Sequence, residues 1–135
     1  MVQGNLISVL LSWAVQLTSY SHPHTLPNIE FKERDFFVEH ACNGNNKCRA
    51  AAWYNNEGTI YINNILEDKT DAMTRGVIVH ELVHYLQDLS DKFKNNDCQD
   101  HQAREREAYA IQRAYLHTVA GEFVAIYMDF PPCPG

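Results

Sequence analysis

The chain has 135 residues, is 45% hydrophobic and 21% charged, and carries a formal net charge of −6. That length predicts a single domain, 1–135, with room for a real core, and the acidic balance without a basic patch argues against a nucleic-acid or anionic-membrane partner. The four cysteines, Cys42, Cys48, Cys98 and Cys133, include no C-x-x-C pair, which argues against a thiolate-bound zinc. Four cysteines in a small domain point to two disulfides and an oxidising compartment, against the alternative of four reduced thiols in a cytosolic chain.

A first helix is expected over 4–19. Leu6, Leu10, Trp13 and Leu17 form an apolar stripe, and Ser8, Ser12, Gln16 and Ser19 a polar one. The first basic residue is Lys32, so the segment lacks the charged start of a signal peptide and reads as a helix of the domain. It is too short and too striped to span a membrane; export would require a signal already removed or lying outside this chain. Ser21-His22-Pro23-His24 is a loop whose histidines are expected to face water. Residues 28–32 alternate polar and apolar, a strand with one buried face. Asp35 is placed to cap a short helix through His40. Cys42 and Cys48 bracket a Gly/Asn-rich loop and are paired on that ground, leaving Cys98 for Cys133. Residues 49–54 and 58–63 read as a hairpin turning at Asn55-Asn56-Glu57-Gly58, with Ile60 and Ile62 on one face of its second strand.

After a connector at 66–69, Thr70 or Asp71 caps a helix running to about Leu89. Counted at about 100° per residue, Met73, Gly76, Val77, Val83 and Gln87 share one side with His80 and His84, while Ile78, Leu82, Leu86 and Leu89 share the other. A helix apolar on both sides is buried, and two histidines inside it require a ligand or strong hydrogen bonds. His80-Glu81-Leu82-Val83-His84 has the H-E-x-x-H pattern. Imidazoles four residues apart stand on one face and can bind one Zn²⁺. Glu81, about 100° away, is placed to take a proton from water at the metal. Gln87, one turn beyond His84, could orient a ligand.

Lys94-Asn95-Asn96-Asp97 breaks the pattern, and a last helix is expected over 98–120, ended by Gly121. A catalytic zinc usually has three protein ligands. The variant with a third histidine six residues after the second is excluded, since Ser90 stands there. The last helix offers Glu105 and Glu107, about 200° apart. Glu107 lies among Ala103, Ala110, Ile111 and Ala114, a small-residue face suited to close packing; Glu105 shares a mixed face with Tyr109, Gln112 and Leu116. Glu107 is therefore expected to be the third ligand, with an ion pair to Arg104 as its alternative and His101 and Asp97 as lesser rivals. On this reading Glu105→Ala keeps the metal. Tyr109 is a candidate transition-state stabiliser, with Tyr115, His101 and His117 as alternatives. The tail 122–129 is ambiguous between strand and helix, and 131–134 is expected to be tied down by Cys133.

HELVH followed after 22 residues by a glutamate resembles the gluzincin branch of zinc metallopeptidases. More narrowly, Cys42…Cys48, 52–54, 59–62, 80–87 and 104–112 are similar to a group of small bacterial proteins of unassigned activity that are expected to be exported. The resemblance spans roughly residues 6–120. It implies an α+β, zincin-like fold in which a small mixed sheet packs on the active-site helix, with an N-terminal helix and a C-terminal helix bearing the glutamate. It also implies an edge strand, expected at 58–63, that binds a peptide or protein substrate as an added strand. The implied activity is zinc-dependent peptide-bond hydrolysis, with a non-catalytic interaction module or a narrow hydrolase of cell-wall peptides as alternatives. The catalytic apparatus would occupy 58–110. That leaves little chain for a second lobe and implies an open cleft with weak selectivity, a required partner or a missing propeptide.

Overall fold

A computed structural model describes residues 4–123, 126 and 130–134. Among them are four helices and one mixed three-stranded sheet, an α+β arrangement. In chain order these are α1 (Gly4–Leu17), β1 (Asn28–Lys32), α2 (Arg34–His40), β2 (Ala52–Tyr54), β3 (Thr59–Asn63), a 3₁₀ turn (Asn64–Leu66), α3 (Ala72–Ser90) and α4 (Cys98–Thr118). No described helix is long and apolar enough to cross a membrane.

The strand order is β1-β3-β2. β1 runs parallel to β3, with Ile29 opposite Ile60, and β2 runs antiparallel to it, with Tyr54 opposite Ile60. The hairpin forms at the turn residues expected for it. The Asn55 side-chain oxygen accepts from the amides of Glu57 and Thr59 at 2.7 and 3.1 Å, and Gly58 takes φ +89°, a conformation that costs a residue without Cβ little. The expectation that 58–63 forms the cleft edge is overturned. β1 pairs with its free side, so β3 is the central strand, and β2 is the edge strand facing the cleft.

α3 lies at the centre of the core. Ile78, Val79, Leu82, Val83 and Leu86 are fully buried against Ile60 and Ile62 of the sheet, Leu10, Leu11 and Ala14 of α1, and Ala108 and Leu116 of α4. Each large aliphatic side chain buried here contributes roughly 1.5–3 kcal/mol. α3 and α4 approach closely at Gly76, where a Cβ would come within 3.1–3.3 Å of the Leu116 side chain. Met73 and Leu89, at the two ends of α3, are exposed. On α1 the polar stripe faces water as expected, but the most buried residues are Ile7, Leu10, Leu11 and Ala14. The inward face is thus turned by about one residue from the expected stripe, and Leu6, Trp13 and Leu17 flank it. α2 covers the other face of the sheet, where buried Phe37 packs with Phe36, Trp53 and Tyr61. Glu33, not Asp35, is its N-cap; Asp35 sits in the first turn, where a carboxylate complements the helix dipole.

Both expected disulfides are formed, Cys42–Cys48 and Cys98–Cys133. The second ties the C-terminal residues to the start of α4, and Gln102 donates a hydrogen bond to the Pro131 carbonyl at 2.5 Å. α4 opens on Asp97, whose carboxylate caps the Asp100 amide at 2.8 Å. It closes where Gly121 turns with φ +71° and the Glu122 amide reaches the Leu116 carbonyl. Of the tail left ambiguous between strand and helix, residues 124, 125 and 127–129 lie outside the described residues.

Candidate metal centre

α3 places His80, Glu81 and His84 at the floor of a cavity of about 500 Å³, whose opposite walls are β2 and the first half of α4, with Gln87 just beyond it in a smaller cavity. The ring hydrogen bonds decide how the two imidazoles present themselves. His84 Nδ1 lies 2.9 Å from the Gln87 Oε1 and His80 Nδ1 lies 3.0 Å from the Gln112 Oε1. The Gln87 amide orientation is fixed independently, because its nitrogen donates to the Arg104 carbonyl at 3.0 Å and to the Glu107 carboxylate at 2.9 Å. An amide oxygen only accepts, so both Nδ1 atoms carry the proton and both neutral rings turn an Nε2 lone pair toward the cavity.

Those two lone pairs meet. His80 Nε2 and His84 Nε2 are 3.2 Å apart. Glu105 from α4 completes the group, with Oε1 2.5 Å from His84 Nε2 and Oε2 3.5 Å from His80 Nε2. Three acceptors converging in a largely buried place require a cation between them, either a proton on one ring or a metal ion. The donor atoms of His80, His84 and Glu105 lie within 4.8 Å of one another, so the group could hold a metal ion. Ligands at about 2.0–2.1 Å from one tetrahedral ion stand roughly 3.3 Å apart. The 3.2 Å between the two Nε2 atoms already matches, as does the 3.5 Å from Oε2 to His80 Nε2, while Oε1, the oxygen on His84, stands closer than a fellow ligand would.

Electrostatics at the cluster follow the same logic. Burial pushes the His84 imidazole down, but the Glu105 hydrogen bond and the Glu81 and Glu105 charges outweigh it, so His84 titrates above the usual histidine range. Burial would raise Glu105, yet its pairing with the His80 and His84 rings holds it far below the usual carboxylate range. Without a metal, a proton on His84 pairs with an ionised Glu105.

The expectation that Glu107 is the third ligand is overturned by its position. Its carboxylate points away from the imidazoles, toward α1 and the α3 C-terminus. It accepts hydrogen bonds from the Tyr20 hydroxyl, from Gln87 and from Lys92 at 3.0 Å. Donors already satisfy it. Arg104, its proposed ion-pair partner, reaches Asn96 at 3.1 Å instead. The sequence signal missed was the buried stripe of α4. Ala108, Gln112, Tyr115 and Leu116 line the face packed on α3, and counting back three and seven residues from Ala108 and Gln112 leads to Glu105.

The match to a known family covers residues 1–128 and is described as Domain of unknown function (DUF6647). The chain belongs to the DUF6647 family. Neither the curated proteins nor the solved structures contain a match to it.

The remaining expected site residues of this DUF6647 domain divide between the cavity and elsewhere. Glu81 is buried beside the cluster, its Oε2 3.8 Å from His80 Nε2, and its Oε1 accepts the Tyr54 amide of β2 at 3.0 Å. β2 is held at this height because the Tyr54 hydroxyl donates to Asp88 of α3 at 2.5 Å. Residues 51 and 55 hydrogen-bond toward β3. By the alternation of an antiparallel ladder, the peptide groups of Ala52 and Tyr54 face the other way, toward the cavity. Tyr109 packs its ring 4.4 Å from the His80 ring and lines the cavity. Burial, then the Glu105 and Glu81 charges, push its hydroxyl up, so it stays a hydrogen-bond donor. His101 also lines the cavity. Tyr115 is buried in the core and His117 packs its ring, tilted, 4.2 Å from that of Phe123, so neither belongs to the site. His22 and His24 are exposed, as expected. Gln112, whose oxygen faces His80, was not anticipated.

Proposed function

We propose that this chain is a zinc-dependent peptide hydrolase of the gluzincin type, with His80, His84 and Glu105 holding the metal and Glu81 as general base. The observation that carries the reading is the convergence of three acceptors beside a fourth, separately held carboxylate. Glu105 has its negative charge committed to the imidazole pair. Glu81 is oriented by the Tyr54 amide and keeps a second oxygen on the cavity side. Two histidines and one carboxylate form the donor set of many catalytic zinc sites, which keep one position open, and a purely structural zinc has no use for the extra base. Bound there, Zn²⁺ would polarise the scissile carbonyl and acidify water.

The chain's own groups supply the rest. Glu81 takes the proton of the attacking water and passes it to the departing amine. Tyr109, kept protonated, is placed to donate to the oxygen that gains charge. A peptide laid along β2 would pair with the outward Ala52 peptide groups and the Tyr54 carbonyl, the Tyr54 amide being held by Glu81, and so add a fourth strand. The two disulfides fit an exported protein.

The test is zinc analysis of the oxidised protein together with cleavage of a peptide library, with and without chelator. Chelator-sensitive cleavage is expected, and Glu81→Gln should keep its zinc while losing about 10²–10⁴-fold in rate. Normal turnover by Glu81→Gln would overturn the assignment of the base. One zinc per chain without cleavage of any peptide would instead identify a non-catalytic metal module.

A further inference from the structure

We infer that the cleft selects peptides carrying a carboxylate beside the bond held at the metal cluster, with Arg104 and Arg49 as the recognising groups. This rests on the peptide-hydrolase reading above and adds a substrate class to it. The chain is acidic, at −6 overall, yet the fixed charges lining the cavity cancel. Its carboxylates are Glu81 and Glu105, and its fixed cations are Arg49 and Arg104. A divalent ion between the imidazoles would balance the two glutamates, leaving the guanidiniums as the uncompensated charges of the wall.

Within the described residues neither arginine is engaged by an acid. Among the described residues no carboxylate forms an ion pair with either guanidinium. Arg104 is half-buried and uses Nη2 to bond Asn96 at 3.1 Å, with its guanidinium 6.0 Å from the Phe93 ring. A planar group with five donors, of which one is engaged there, is suited to receive a carboxylate in a paired, bidentate geometry. Its position is specific. Arg104 precedes Glu105 on α4, and it lines both the main cavity and a smaller one of about 250 Å³ that also touches His84. A substrate crossing the metal cluster therefore passes it. The smaller cavity carries Asp88 and Asp91, so the cationic wall is confined to the side of Arg49.

Arg49 stands on that side. It follows directly on Cys48, which the bridge to Cys42 holds buried, and it lies three residues before β2. The loop that the disulfide closes thus delivers a cation to the start of the strand on which the peptide would lie. Arg49 is exposed, so screening makes it the weaker of the two.

The experiment compares fluorogenic peptides that are identical except for Glu or Gln at each of three positions on either side of the central bond. For the best position the Glu peptide should be cleaved about tenfold better or more in kcat/KM, as expected for a charge-assisted pair in a partly buried site. Arg104→Gln should bring that ratio close to one, Arg104→Lys should restore part of it, and Arg104→Glu should turn the preference toward a Lys peptide. Arg49→Gln should lower the ratio by about two- to fivefold, an effect that fades with salt. These ratios compare two peptides on one variant, so a partly unfolded sample does not mimic them. The same peptide pairs are titrated against zinc-loaded Glu81→Gln to read binding alone. Equal cleavage and binding of Glu and Gln peptides, or a ratio unmoved by Arg104→Gln, overturns the selectivity and leaves peptide hydrolysis standing. Glu-selective binding without cleavage by the wild type overturns hydrolysis and leaves the selectivity standing. Absence of both overturns both.

Discussion

Two carboxylates two residues apart on α4 meet opposite surroundings. Glu105 faces two imidazole nitrogens whose lone pairs are turned toward it. Glu107 faces a phenol, an amide nitrogen and an ammonium. Both are partly buried and both are held below the usual carboxylate range, Glu105 by His80 and His84 and Glu107 by Tyr20, Gln87 and Lys92, in each case against the opposing effect of burial. Burial and a lowered pKa therefore do not separate a metal ligand from a structural anchor. The partner's polarity does: donors complete Glu107, whereas acceptors leave Glu105 in need of a cation. Gln87 joins the two regions, accepting from His84 with its oxygen and donating to Glu107 with its nitrogen.

Breaking that joint should have the largest effect. Gln87→Leu removes the group that fixes the His84 tautomer and should weaken zinc about 10–100-fold, read by competition with a chelator of known affinity; unchanged affinity would show that the hydrogen bond orients nothing. Next in size is Glu107→Gln, which should cost about 1–3 kcal/mol of stability by leaving Lys92 unpaired and weakening the bonds from Tyr20 and Gln87. Denaturant unfolding measures this, and the variant should still bind one zinc. Tyr20→Phe should fall at the lower end of that range.

The smallest effect is a dependence on pH. His84, raised in the folded metal-free protein, contributes stability below its ordinary value of 6.5 that is lost as pH climbs through the raised value. Glu105, lowered, contributes stability above its ordinary value of 4.5 that is lost as pH falls toward the depressed one. The pair therefore supports the metal-free fold best between those two values. Zinc must displace the His84 proton, so the zinc-induced rise in Tm should grow from pH 5 to pH 8. A rise independent of pH would contradict the shared role of that nitrogen.

The elements of this fold were legible because their signals are local. Apolar periodicity marks α1, α3 and α4, and an Asn/Gly turn marks the β2–β3 hairpin. Strand order was not legible. The hairpin puts β2 beside β3, but nothing near 58–63 says that β1, distant in sequence, fills the other edge. His80, Glu81 and His84 could be read because one helical turn sets their geometry. The carboxylate that joins the imidazoles was not legible because a stripe of alanines marks close packing without saying which neighbour is packed. The α1–Tyr20 side and the α3 side both lay within reach of α4. The polar member of the other stripe, Gln112, was the more informative residue, since a buried amide needs a partner and His80 supplies it.

The most direct test of the account is the zinc content of three purified proteins after dialysis against a weak chelator: wild type, Glu105→Ala and Glu107→Ala. The wild type and Glu107→Ala should each retain about one zinc per chain, as one three-ligand site requires, while Glu105→Ala loses it. Retention by Glu105→Ala together with loss from Glu107→Ala would contradict the assignment of the centre.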